Sequence, residues 1–136
     1  MNESVKHIVQ PLLLDGEILT VEEVTKLTSQ FPFLFPESYL DVIRYINGRE
    51  GEIGSDSWLC LFPLQELSEV NHDYAILMDD IPDYFLIGKD AADTGYAFHK
   101  FNKTYHAFGL MSNFKTDPII FCGNTLLEFV EYLYNE

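Results

Sequence analysis

The sequence has 136 residues, 47% of them hydrophobic and 22% charged, which suits one globular domain burying about two-thirds of its unfolded surface. That balance excludes a disordered chain, a collagen and a coiled coil. Eight Lys and Arg against 22 Asp and Glu leave a formal charge of −14, which repels phosphate backbones and anionic lipid; nucleic acid and membrane surfaces are therefore excluded as partners. No repeat, low-complexity tract or Gly/Ser linker divides the chain, so residues 1–136 read as one domain. The start, Met1-Asn2-Glu3-Ser4-Val5-Lys6-His7, lacks the basic and apolar regions of a secretory signal, and the expected compartment is the cytoplasm. No apolar run approaches the roughly 18 residues of a membrane span.

Taken in chain order, Thr20-Val21-Glu22-Glu23 has capping-box spacing and predicts a helix over 21–30. Pro36 suits a first helical turn; behind it Tyr39, Leu40, Ile43 and Ile46 recur at spacings of three and four before Asn47-Gly48, giving a short amphipathic helix with a glycine stop. Pro63 to Val70 reads as a third, shorter helix with Leu64 and Leu67 on one face. Near the C-terminus Thr125 and Glu128 again have capping-box spacing, and Leu126, Phe129, Val130, Leu133 and Tyr134 form a stripe that must be buried. Between these helices, runs rich in aromatic and branched residues predict strands at 58–62, 84–87, 96–101, 104–110 and 118–122. The tight Phe101-Asn102-Lys103-Thr104 connection favours antiparallel neighbours. The expected fold class is α+β: a single antiparallel-rich, mixed, twisted sheet with helices from both chain ends packed on it.

Chemistry-bearing patterns are sparse. His7, His72, His99 and His106 lack metal-ligand spacing, although His99 and His106 flank the 102–103 turn and are expected as cross-strand surface histidines. Cys60 and Cys122 each sit in an apolar run and are expected as buried, reduced thiols. Gly88-Lys89-Asp90-Ala91-Ala92-Asp93-Thr94-Gly95 lacks the remaining oxygen ligands of a calcium loop and reads as a turn between strands. Neither a Gly-x-Ser-x-Gly elbow nor a phosphate-binding glycine loop is present. An acid-pair enzyme would need two close carboxylates in a closed cleft, a feature of tertiary structure that 22 scattered acids neither establish nor exclude. The reading is of no catalytic residue, no cofactor and no metal site.

The acid is unevenly placed. From Arg49 to Gly95 there are eleven acids and two bases, so this third of the chain carries −9 of the −14. Such a run is either a solvated face that maintains solubility or a docking surface for a basic partner. On the second reading the contacts nominated are Asp56, Asp79, Asp80, Asp83, Asp90 and Asp93, which lie in expected loops, with Trp58 and Tyr84 as aromatic anchors.

Phe35-Pro36-Glu37-Ser38-Tyr39-Leu40 followed by Tyr45-Ile46-Asn47-Gly48 resembles the opening signature of the SUKH superfamily, the Smi/Knr-like group, with Phe35 where that family usually has leucine. Leu61-Phe62-Pro63-Leu64-Gln65-Glu66-Leu67 through Asn71 is similar to its strand-then-helix segment. Ile87-Gly88-Lys89-Asp90 with Gly95-Tyr96-Ala97-Phe98 is similar to its glycine-aspartate strand pair. Thr125 to Val130 resembles its closing helix, so the likeness runs over about 20–133. The resemblance implies an α+β sheet fold without catalytic residues. It further implies a bacterial immunity protein that binds and neutralises a cognate toxin, often a nuclease, whose basic phosphate groove the acidic middle third is expected to meet. Relatives outside bacteria serve as regulatory interaction modules, which leaves a non-toxin partner as the alternative.

Overall fold

A computed structural model describes residues 1–13 and 18–136. It contains six strands, β1 (Glu50–Ile53), β2 (Ser57–Leu61), β3 (Tyr84–Lys89), β4 (Thr94–His99), β5 (Tyr105–Gly109) and β6 (Ile120–Gly123), in the order β1-β2-β3-β4-β5-β6. All five pairings are antiparallel, so the sheet is a meander and the mixed sheet expected above is corrected. The physical reason is connection length: each neighbour is reached by a hairpin turn, by the short non-helical loop 110–119 or by the helical excursion 62–83, and no crossover is needed. The α+β class stands.

The helices are α1 (Glu3–Ile8), α2 (Val21–Thr28), α3 (Glu37–Ile46), α4 (Leu67–Asp73), α5 (Ala75–Met78) and α6 (Leu126–Tyr134). Helix α2 starts with the expected capping box: Thr20 Oγ1 accepts from the Glu23 amide at 3.0 Å and Glu23 Oε1 accepts from the Thr20 amide at 3.1 Å. It ends two residues early, because Phe31 N bonds back to Thr28 O and the chain turns toward Pro32. In α6 the Thr125 hydroxyl accepts from Glu128 N at 3.2 Å, while the Glu128 carboxylate reaches the Asn124 amide at 3.0 Å instead of the cap's own. The third predicted helix divides into a 3-10 turn over Leu64–Glu66 and α4.

Helices α1, α3 and α6 cover one face of the sheet. Their buried Val5, Tyr39, Ile43, Ile46, Phe129, Val130 and Leu133 share a core with Phe85, Ile87, Tyr96, Phe98, Tyr105 and Cys122 from the strands. Of the helix residues expected inside, Ile43, Ile46, Phe129 and Val130 are 0% exposed, whereas Tyr134, expected in the buried stripe of α6, is 43% exposed, a correction: it is the last residue of the helix. An aromatic cluster ties the 31–35 segment to this core, with Phe35 5.5 Å from Phe85 and 5.2 Å from Phe98, centroid to centroid. The opposite face carries a thinner layer, in which Leu77, Met78 and Ile81 pack on Leu86, Ala97 and Phe108, closed by Phe114 and Ile119. Strands β3 and β4 are thus buried on both faces, which explains their near-continuous apolar sequence.

Between α4 and β3 the join is made by one side chain. Asn71 donates Nδ2–H to Leu67 O at 2.9 Å and Leu86 O at 3.0 Å, and its Oδ1 accepts from Leu86 N at 2.9 Å. It serves both backbone groups of Leu86 where the β3–β4 register shifts between Leu86 and Gly88. Asn47 does similar work on the other side of Gly48, accepting from Leu64 N at 2.7 Å and donating to Gln65 Oε1 at 2.9 Å.

Candidate functional site

The eight nominated residues fall into separate places. Asp56 lies in the β1–β2 turn and is exposed. Trp58 is half-buried on β2, with its Nε1–H committed to Glu50 Oε2 at 3.0 Å. Asp90 and Asp93 close the β3–β4 turn, and the Asp90 carboxylate is occupied there, accepting from Ala92 N at 2.8 Å and Thr94 N at 3.0 Å. This Asx geometry is the expected turn between strands. Asp83 stands at the other end of β3, one strand length away, where its carbonyl accepts from Lys100 N at 2.7 Å. Asp79 and Asp80 follow α5, and both are exposed.

What the fold does gather is a surface around α5. Helix α5 directs Leu77 and Met78 inward and leaves Ile76 94% exposed. Asp73 at the end of α4 and Asp80 just after α5 line the same hollow as Ile76, so carboxylates flank Ile76 on both sides. Across from it the segment after β5 presents Met111, 87% exposed, and an open hollow of about 350 Å³ lies between them, lined by Asp73, Tyr74, Leu77, Asp80, Leu110 and Ser112. Leu110 N bonds to Asp93 O at 2.6 Å, which brings the β3–β4 turn to the same rim. Ile76 and Met111 are not among the residues nominated from the sequence. Their only signal is an apolar residue at an outward helical position, which needs the helix register to be seen.

On the same face of the sheet, at the β4–β5 turn, four strands contribute Tyr84, His99, His106 and Phe121 in a row. Tyr84 meets His99 and His106 edge-on at 5.0 Å each, and His106 lies 5.7 Å from Phe121. His99 Nδ1 accepts from the amides of Phe101 and Asn102 at 3.2 and 3.1 Å, which makes it the cap of the turn. His106 is buried, a correction to the surface position expected for it, because Tyr84 and Phe121 close over its ring. Its partner is Thr104 Oγ1 at 2.7 Å. Burial, aided by His99, lowers its pKa below the ordinary value of about 6.5. Below that value the unfolded chain binds the proton that the folded chain resists, so stability is intact above pH of about 6.5 and falls as the pH drops through the lower folded value. Denaturant melts of His106→Gln should show a flatter dependence between pH 7 and about 5 than the native protein; an unaltered slope would assign the pH dependence elsewhere.

Both cysteines are free thiols. Cys122 is buried as expected, and burial, with a smaller contribution from Glu136, pushes its pKa up to about 12. Cys60 is only half-buried, a correction: strand alternation turns it with Trp58 to the face opposite Leu59 and Leu61, beyond the reach of α5. Burial and then Glu50 raise its pKa also. Among the described residues no group of three or more His, Cys, Asp and Glu is placed to hold a metal ion, and no helix is long and apolar enough to cross a membrane.

The fold and this surface define an antiparallel α+β domain presenting an acid-flanked apolar hollow beside a six-stranded meander. No protein-family model matches the chain, and no curated protein matches it.

Proposed function

We propose that the protein is a non-catalytic binding protein of the SUKH type, an immunity protein that covers the basic groove of a nuclease-type toxin domain with its acidic surface. The observation that supports this reading most is the division of labour among the carboxylates. Glu23, Glu50, Asp90, Asp117 and Glu128 accept hydrogen bonds that serve turns, caps and the sheet. Asp79, Asp80, Asp83 and Asp93 are exposed on loops in the most acidic third of the chain. A field of that sign acts chiefly on encounter with a partner of opposite charge.

The test is co-expression with the product of the adjacent reading frame. Rescue of cells from its toxicity is the expected result, and unaltered killing overturns the reading; a non-toxic captured partner would favour the regulatory-module alternative. With a partner in hand, association should approach the roughly 10⁸ per molar per second of electrostatically steered pairs and slow steeply as added salt shortens the Debye length below about 8 Å. Changing Asp79, Asp80 and Asp83 together to asparagine should lower the on-rate about tenfold and flatten its salt dependence, with thermal stability shifted by only tenths of a kcal/mol per site. An unaltered on-rate and salt slope, measured by stopped flow, would make these acids a solvated face.

A further inference from the structure

We infer that the hollow between α5 and the segment after β5 is the anchor of the interface: it receives one apolar side chain projecting from a basic surface and flanked there by lysine or arginine. This rests on the binding role proposed above and names the place and chemistry of the contact. Two independent features carry it. The first is the apolar pair Ile76 and Met111, which remain 94% and 87% exposed although the residues next to Ile76 are docked in the sheet's second layer. Isolated apolar residues on a surface need no explanation, but these two stand at one hollow whose remaining wall includes Leu77, Leu110 and the ring of Tyr74. Methionine is the side chain best able to mould itself to an incoming group.

The second feature is charge. Asp73 and Asp80 are themselves walls of the hollow, and Asp79 lies one helical turn from Ile76. In the two segments that build it, 66–83 and 110–119, there are seven acids and one Lys or Arg, Lys115. A second copy of this −14 chain is repelled from such a rim, and so is any acidic partner. A basic partner presenting only charge would leave Ile76 and Met111 uncovered, whereas a wholly apolar one would bury the aspartates without counter-charge, at high cost. An apolar knob within a basic surround satisfies both halves, and burial of the knob at the centre with charge at the rim is how tight interfaces are organised.

The hollow is firmly built. Met78 N and Asp79 N close α5 by bonds to Tyr74 O and Ala75 O at 2.8 Å each, and Ser112 N bonds to Gly109 O at 3.1 Å. On the far side Phe114 packs edge-on against Phe108 at 5.6 Å, which holds the segment bearing Met111 to the sheet. Because Ile76 is almost wholly exposed, its replacement leaves the core untouched and gives a clean test.

The experiment is a titration of the methyl-labelled full chain, followed by NMR, with three synthetic peptides: one leucine flanked on both sides by lysine and arginine, the same peptide with serine for leucine, and the leucine peptide with glutamate for every base. The basic leucine peptide should move the Ile76 δ1 and Met111 ε methyl signals saturably, more weakly as salt rises to about 0.15 M, and Ile76→Ser should weaken its binding about tenfold or more. Equal binding of the serine peptide would overturn the apolar anchor, and equal binding of the acidic peptide would overturn the charge requirement. Shifts at other methyls with Ile76 and Met111 still, or no shift at all, would overturn the site. Failure here remains distinct from failure of the proposed function, because the rescue assay reads that separately: native rescue with undiminished rescue by the Ile76→Ser, Met111→Ser double variant removes the hollow and keeps the immunity role.

Discussion

Replacing Phe129 with alanine should destabilise the fold by about 3–5 kcal/mol, the largest effect expected of any single core truncation here. Phe129 is 0% exposed, stacks on Tyr105 at 5.4 Å with 14° between the rings, and meets Tyr96 edge-on at 5.2 Å. It is therefore the bolt between α6 and strands β4 and β5. Loss of the ring removes its transfer free energy and leaves a cavity that rigid neighbours on both sides fill poorly. Tyr105 is least free to move, since its hydroxyl is paired with Ser38 Oγ at 3.0 Å and the same Oγ accepts from Leu126 N at 3.2 Å at the start of α6. For a domain of this size such a loss corresponds to a fall in Tm of about 10–20 °C. Urea melts showing a loss under about 1 kcal/mol would mean that the face of α6 turned to the sheet relaxes far more than these contacts imply. Phe129→Leu, which keeps most of the volume, should recover at least half of the stability.

A comparable loss, about 2–4 kcal/mol, is expected for Asn71→Ala, although Asn71 belongs to no apolar stripe. Its amide supplies both hydrogen-bonding partners of Leu86, a residue 0% exposed in the middle of β3. Alanine leaves a buried N–H and a buried C=O with nothing to bond, and the cost of an unsatisfied pair exceeds the modest net worth of the bonds themselves. Asn71→Asp separates the contributions. A carboxylate still accepts from Leu86 N but cannot donate to Leu86 O, and it adds a charge near the second core layer, so it should do no better than alanine. Amide exchange at Leu86 gives the direct readout: it should rise by orders of magnitude in Asn71→Ala while remaining slow at Phe98. Unaltered protection of Leu86 would show that another group takes over the amide.

Features governed by near neighbours are legible in the amino-acid order. The Thr20–Glu23 capping box, the glycine after α3 and the buried stripe of α6 follow from contacts three or four residues apart, which local physics determines. The aromatic runs mark five of the six strands within a few residues, most plainly β3, β4 and β5, because a strand buried on both faces must be apolar nearly throughout. Features that depend on distant partners are not legible in this way. Glu50-Gly51-Glu52-Ile53 has little strand preference and becomes β1 by pairing with β2, where Gly51 lacks the Cβ that would crowd Pro11 O at 3.2 Å. Helix α1 is similar: six residues are too few to hold a helix alone, and packing against α6 keeps it.

The acidic character of the surface is likewise a property of composition, whereas the arrangement of that acid is not. Nothing in the order Asp79-Asp80-Ile81-Pro82-Asp83 separates two carboxylates beside a hollow from a third at the end of a strand. The four apolar residues Ala75-Ile76-Leu77-Met78 show this most plainly. As a sequence they predict only burial, and any of them qualifies. The docking of α5 on Leu86, Ala97 and Phe108 places Leu77 and Met78 inside and turns Ile76 out among the aspartates, because a helix one turn long has a single face to offer the sheet.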